Sequence, residues 1–169
     1  YEAERFGNPG SLHSFGQEAS AALFRARQKV AAAIGADYRE VIFTASATEA
    51  NNLVLRGTAQ YAIRNSRMYP NDPKKKDTVF GTFGSNSNHS DRVRLIVSAI
   101  EHESVLETAR DLEGDGVEIV FVPVSKEGIV DVSKIQGALN DRTILVSVMY
   151  ANNEVGSIQP IAEIAKLIQ

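Results

Sequence analysis

Three short polar stretches hold the residue types of this chain that can do chemistry. Ser46-Ala47-Thr48-Glu49-Ala50-Asn51-Asn52 comes after a β-rich run, Val41-Ile-Phe-Thr44, and opens an expected helix. Small and hydroxylated residues at a helix start leave backbone N–H groups at the positive end of the dipole, an arrangement that takes phosphate. Thr48 adds a hydroxyl there, although capping by Ser46 and Glu49 accounts for the same residues. Glu101-His102-Glu103-Ser104 comes after a second apolar run. His102 can stack on a planar cofactor or move a proton, and two flanking carboxylates favour its charged form when they are close. The alternative is a hydrogen-bonded His at a helix start. Ala151-Asn152-Asn153-Glu154-Val155-Gly156 comes after a third apolar run. Adjacent amides donate and accept without ionising, which suits a ring oxygen or a substrate carboxylate. An Asx turn before Gly156 is the competing reading.

Other chemistries are excluded on residue counts. With no Cys, the chain has no disulfide, thiolate metal site or cysteine nucleophile of its own. Its three His, at 13, 89 and 102, do not stand at paired ligand spacing, so no metal site is expected. Neither a Walker lysine nor Gly-x-Gly-x-x-Gly is present.

Positioning these stretches requires alternating helices and strands. Apolar residues recur at three- and four-residue spacing from Ser14 to Ile34, with a Ser14/Gln17 capping box and Gly35 as the stop. A second helix is expected from the Ser46/Glu49 box to about Asn65, and a third from the Ser104/Glu107 box to Gly114 or Gly116. Strands are expected at Val41–Thr44, Leu95–Ser98, Val117–Val122 and Thr143–Met149, the last nearly all apolar, as when both sheet faces are buried. Asp131 can cap a helix over Val132–Leu139, and Pro160 opens Ile161–Ile168 from the first helical position. This alternation predicts a mostly parallel α/β sheet with covering helices, whose ligands gather beyond the C-terminal strand ends. Residues 65–92 carry Lys74-Lys75-Lys76 and many turn formers, and read as a polar loop insertion with a solvated charge run. No internal repeat is visible.

The 169 residues suffice for one domain with a sizeable core, and 43% hydrophobic with 23% charged residues is ordinary for a globular chain. A net charge of −3 gives no case for a nucleic-acid partner. No apolar run approaches the roughly 20 residues that span a bilayer, and Tyr1 to Arg5 does not resemble a signal peptide. A soluble intracellular chain without a membrane partner is therefore expected, cytoplasmic, or mitochondrial or plastid in a eukaryote.

The order of the motifs carries a resemblance. Asn8-Pro-Gly-Ser-Leu-His-Ser-Phe-Gly16, Phe43-Thr-Ala-Ser-Ala-Thr-Glu-Ala-Asn-Asn52, Glu101-His-Glu-Ser-Val105 and Val146-Ser-Val-Met-Tyr-Ala-Asn-Asn-Glu-Val-Gly156 resemble the cysteine desulfurases, class V relatives within the fold-type-I pyridoxal-phosphate enzymes. The resemblance runs over nearly the whole chain, with 65–92 as the main departure. It implies that residues 1–169 are an incomplete pyridoxal-phosphate large domain. It implies that Ala47 and Thr48 hold the phosphate of pyridoxal 5'-phosphate, that His102 stacks on the ring and assists proton transfer, and that Asn153 contacts the ring-oxygen side and the substrate. It further implies L-cysteine as substrate, L-alanine and an enzyme persulfide as products for iron–sulfur cluster or thio-cofactor synthesis, a homodimer, and a sulfur-acceptor or scaffold protein as partner.

The departures shape the expectation as much. The family's Ser-Gly-His-Lys segment with the Schiff-base lysine is absent, all seven lysines fall elsewhere, and the sulfur-accepting Cys is missing. The chain is thus expected to be a fragment of a longer desulfurase, inactive alone, with Thr143–Met149 as an open sheet edge and Val41–Thr44 without a lateral partner. Selenocysteine lyase or another class V enzyme is the nearest alternative, and a non-catalytic module or pseudoenzyme the alternative of a different kind.

Overall fold

A computed structural model describes residues 7–68 and 92–168. They fall into two compact units divided between Ala45 and Ser46.

In the first unit, the Asn8-Pro-Gly-Ser turn leads into helix α1, Ser14–Ile34. The turn closes through the Ser11 N–H on the Asn8 carbonyl at 2.9 Å and the Gly10 N–H on Asn8 Oδ1 at 2.9 Å. A Cβ on Gly16 would lie 2.3 Å from the Ser11 carbonyl oxygen, so the turn packs onto α1 only because that position has no side chain. The cap differs from the expected box. His13 is the N-cap, its Nδ1 accepting the Gly16 N–H at 3.2 Å, and Ser14 already lies inside the helix. Gly35 ends α1 in the left-handed conformation, as expected. A 3₁₀ turn, Tyr38–Glu40, comes next, closed by an Asp37/Glu40 capping box.

Val41–Thr44 is not a strand. Ile42 and Phe43 are 68% and 44% exposed. β-rich composition reports fitness for a half-buried pleated surface, and a strand also needs a hydrogen-bonded neighbour. The strands among the described residues pair only with one another.

The second unit opens with α2, Ala47–Met68, where Ser46 Oγ accepts the Glu49 N–H at 3.2 Å. This helix runs past the expected end near Asn65. The rest of the expected insertion, residues 69–91, lies outside the described residues. Strand β1, Arg94–Ser98, is followed by helix α3, Glu103–Gly114, and strand β2, Glu118–Val122. Helix α4, Val132–Ala138, is capped by Asp131, whose side chain accepts the Ser133 N–H. The Ser133 hydroxyl, and then its backbone N–H, hold the Asp131 carboxyl below the usual carboxylate range. Strand β3, Thr143–Ser147, and helix α5, Ile161–Leu167, complete the unit. Pro160 occupies the cap of α5, one position before the one expected, and no side chain caps that helix.

The sheet is parallel with order β2-β1-β3. Central β1 is apolar on both faces because both are covered. Leu95 and Val97 pack with Leu55, Ala59 and Ala109 of α2 and α3, while Ile96 packs with Ile135 and Ile164 of α4 and α5. Each of the Leu, Val and Ile side chains contributes roughly 1.5–3 kcal/mol by leaving water. At the strand starts, Glu118 bridges Arg94 at 2.5 Å and Arg142 at 3.3 Å, tying the three strands together. β3 has one sheet neighbour, and its residues 144–147 are half-buried rather than buried. The expected burial of both faces is therefore incomplete.

Candidate functional site

The C-terminal ends of β1 and β3 are joined by two side chains. Glu101, 8% exposed, lies just beyond β1 and turns into the sheet. Its Oε1 accepts the Ser98 hydroxyl at 2.8 Å and the Met149 N–H, and its Oε2 accepts the Ser147 hydroxyl at 3.3 Å. Glu101 thus spends both carboxylate oxygens on the strand ends. A carboxylate this enclosed needs donors, and the three it finds lie at the strand ends. Asn152 reaches back from the other side, its Nδ2 donating to the Ile100 carbonyl at 3.1 Å.

Asn152 also builds its own turn. Its Oδ1 accepts the N–H groups of Glu154 and Val155, each at 2.9 Å, and its carbonyl accepts the Gly156 N–H at 3.0 Å. Gly156 sits at φ 73°, which favours glycine. The adjacent amides therefore divide the two readings of this stretch. Asn152 makes the Asx turn, whereas Asn153 is exposed and makes no side-chain hydrogen bond among the described residues.

His102 is the N-cap of α3. Its Nδ1 accepts the Ser104 N–H at 3.1 Å and lies 2.9 Å from Ser104 Oγ. The expected Ser104 cap is displaced by two residues because an imidazole nitrogen serves as the capping acceptor. Ser104 Oγ in turn accepts from Asn51 Nδ2 at 2.8 Å. Further along the same pair of helices, Asn52 Oδ1 accepts the Thr108 hydroxyl at 3.0 Å, and Arg56 pairs with Asp111 at 2.6 Å. These links fix the start of α3 against the start of α2.

Along α2 and α3 lies an open groove of about 610 Å³, lined by Thr48, Asn52 and Arg56 on one side and by His102, Ser104 and the acidic Glu103, Glu107 and Asp111 on the other, so Thr48 and Arg56 face three carboxyl side chains across it. Ala47 and Thr48 are the first two residues of α2, and both are exposed. First-turn N–H groups have no intrahelical partner, and the Ser46 side chain takes up that of Glu49. The N–H groups of Ala47 and Thr48 and the Thr48 hydroxyl lie at this helix start. Thr48 and His102 thus share one groove, whereas Asn153 is not part of its lining. Sequence reasoning missed Glu101, Asn51 and Ser104 as organisers. The one signal available for Glu101 was an acidic residue directly after an apolar strand. Among the described residues no group of His, Asp or Glu is placed to hold a metal ion, and no helix is long and apolar enough to cross a membrane.

A family model described as aminotransferase class-V matches residues 1–68 and 78–169. The chain belongs to this family. It is 40% identical over 168 residues to the cysteine desulfurase IscS of Rickettsia felis, covering 99% of this chain and 35% of that protein. It is likewise 40% identical to the human cysteine desulfurase over 168 residues, 99% of this chain and 31% of that one. This class V chain therefore spans about a third of the length of the curated relatives it matches. Among solved structures, a NifS-like protein superposes with a TM-score of 0.78 at 32% identity, over 98% of this chain and 38% of that one. DndA from Streptomyces lividans gives a TM-score of 0.74 at 37% identity, over 99% and 39%. SspA, solved in complex with cysteine, gives 0.76 at 28% identity, over 98% and 40%. The parallel α/β fold of the class V chain is the one these structures share.

Proposed function

We propose that this chain supplies part of the pyridoxal-phosphate large domain of a cysteine desulfurase, with an insertion that begins only after the end of α2 at Met68. The observation that supports the reading is the shared groove, in which Thr48 at the start of α2 and His102 stand together. The names of the 40%-identical relatives select the reaction class and favour neither selenocysteine lyase nor a non-catalytic module. The net reaction joins L-cysteine and an enzyme thiol to give L-alanine and an enzyme persulfide. The substrate C–S bond breaks and a sulfur–sulfur bond forms. The thiol lies outside this chain, which contains no Cys.

The residues present fit the cofactor's chemistry. The first-turn N–H groups of Ala47 and Thr48, with the Thr48 hydroxyl, bind the phosphate. His102 covers the ring and moves a proton. Asn153 lies outside the groove's lining; its amide is not spent on the turn, and by the family resemblance it would approach the ring-oxygen side and the substrate from beyond the groove. When bound, the cofactor supplies an electron sink at the substrate carbon. A homodimer, a sulfur-accepting or scaffold protein and a cytoplasmic setting belong to the same reading.

The full-length protein, incubated with pyridoxal phosphate, L-cysteine and a thiol reductant, is expected to yield alanine and sulfide in equal amounts. Cofactor binding without alanine formation would contradict the reading, and release of selenide from selenocysteine alone would redirect it to the lyase. Thr48→Ala is expected to weaken pyridoxal-phosphate binding by about 10–100-fold, the worth of one hydrogen bond to a charged group, with near-normal turnover at saturating cofactor. Thr48→Ser should retain binding. Unchanged affinity in Thr48→Ala, measured by equilibrium dialysis, would remove Thr48 from the phosphate site.

A further inference from the structure

We propose that Ser104, oriented by Asn51, is a positioning residue that holds His102 with its exchangeable proton on Nε2. The inference rests on the role proposed for His102 and adds which nitrogen of the ring performs it.

The order of donors and acceptors fixes the polarity of the chain. The Ser104 backbone N–H can only donate, and it points at His102 Nδ1 from 3.1 Å. Nδ1 must therefore present its lone pair. Asn51 Nδ2 donates to Ser104 Oγ at 2.8 Å, which occupies the hydroxyl as an acceptor. The hydroxyl proton is left to donate, and His102 Nδ1 stands 2.9 Å away. Donation runs from Asn51 through the Ser104 hydroxyl to Nδ1. In a neutral ring the proton then resides on Nε2, which makes no hydrogen bond among the described residues.

The arrangement also restrains the ring. His102 is exposed, and a single capping hydrogen bond leaves an exposed ring free to turn about its side-chain bonds. Two donors converging on Nδ1 from one residue remove that freedom. Asn51 lies on α2 and Ser104 on α3, 53 residues apart, so the ring is referenced to the helix that carries Thr48. The groove's Thr48 end and its proton-carrying edge are thereby set by one hydrogen-bonded chain.

The test uses full-length protein labelled with ¹⁵N-histidine, in which long-range ¹H–¹⁵N spectra distinguish the two neutral ring forms. His102 is expected to show the Nε2–H form in the parent protein. Ser104→Ala keeps the backbone N–H on Nδ1, so the Nε2–H form should persist while the ring gains motion in ¹⁵N relaxation and turnover falls about fivefold, as for the loss of one neutral hydrogen bond, with the KM for L-cysteine unchanged. Ser104→Thr, which keeps the hydroxyl, should restore both. Asn51→Asp draws the Ser104 proton to a carboxylate and should move His102 toward the Nδ1–H form. A parent protein with the proton on Nδ1 overturns the proposal, as do spectra and relaxation that stay the same across all variants. Normal turnover in His102→Asn, with the relaxation of the Ser104 variant and the spectrum of the Asn51 variant changed as expected, overturns only the role assigned to His102.

Discussion

His102→Ala is expected to lower turnover of the full-length protein by about 10²–10⁴, the range lost when a positioned acid–base group is removed. Cofactor content should fall much less. Most of the affinity is assigned to the start of α2, and stacking adds only about 0.5–1.5 kcal/mol beyond area burial. The same substitution removes the cap of α3, which costs about 1 kcal/mol of stability. His102→Asn separates the two effects. Asparagine is a favourable N-cap, so this variant should keep the stability and still lose the turnover. Turnover by alanine formation, cofactor content after dialysis and thermal midpoint together check the assignment. Near-normal turnover in both variants would show that His102 does not move the proton.

Glu101→Ala should cause a marked loss of stability. The carboxylate takes donors from Ser98, Ser147 and the Met149 backbone at the ends of β1 and β3. Removing it strands the buried Ser98 hydroxyl, at about 1–3 kcal/mol, and leaves the half-buried Ser147 hydroxyl and Met149 N–H without their acceptor at a smaller cost. Part of that is relieved by hydroxyl rotation, so a net loss of about 3 kcal/mol is expected. For a domain of 150–250 residues this corresponds to a drop of roughly 6–12 °C in the thermal midpoint. Glu101→Gln keeps one acceptor oxygen and should lose about 1 kcal/mol. Activity should fall with Glu101→Ala as well, because the segment bearing His102 would no longer be pinned to the segment bearing Asn153. Displacing a catalytic group by about 1 Å can cost about 10²-fold. A wild-type midpoint for Glu101→Ala would mean that the carboxylate does not hold the strand ends.

The parts of the fold legible in the sequence were those set by local pattern. The apolar run through Leu95, Ile96 and Val97 announced a strand, though the burial of both faces was expected of Thr143–Met149 instead, and Gly35 announced the end of α1. Val41–Thr44 failed because composition speaks of surface, whereas a strand exists only with a neighbour. The caps at His13 and His102 were hidden behind serines that fit the usual box, since a histidine nitrogen accepts equally well. At the site, Thr48 and His102 could be named from their place just after an apolar run, and the structure places both on one groove. The contacts that organise them could not be read. The Asn51–Ser104 contact spans 53 residues and the Glu101–Ser147 contact 46, and neither pairing leaves a mark in local sequence. Asn152 and Asn153 looked equivalent until the turn showed which amide it uses.

The central claim is that the groove along α2 and α3 is the cofactor site. A crystal structure of the full-length protein with pyridoxal phosphate tests it most directly. The account predicts phosphate oxygens within hydrogen-bond distance, about 3 Å, of the Thr48 hydroxyl and the first N–H groups of α2, with the ring against His102. A phosphate held elsewhere, with Thr48 and His102 facing only solvent, would contradict it.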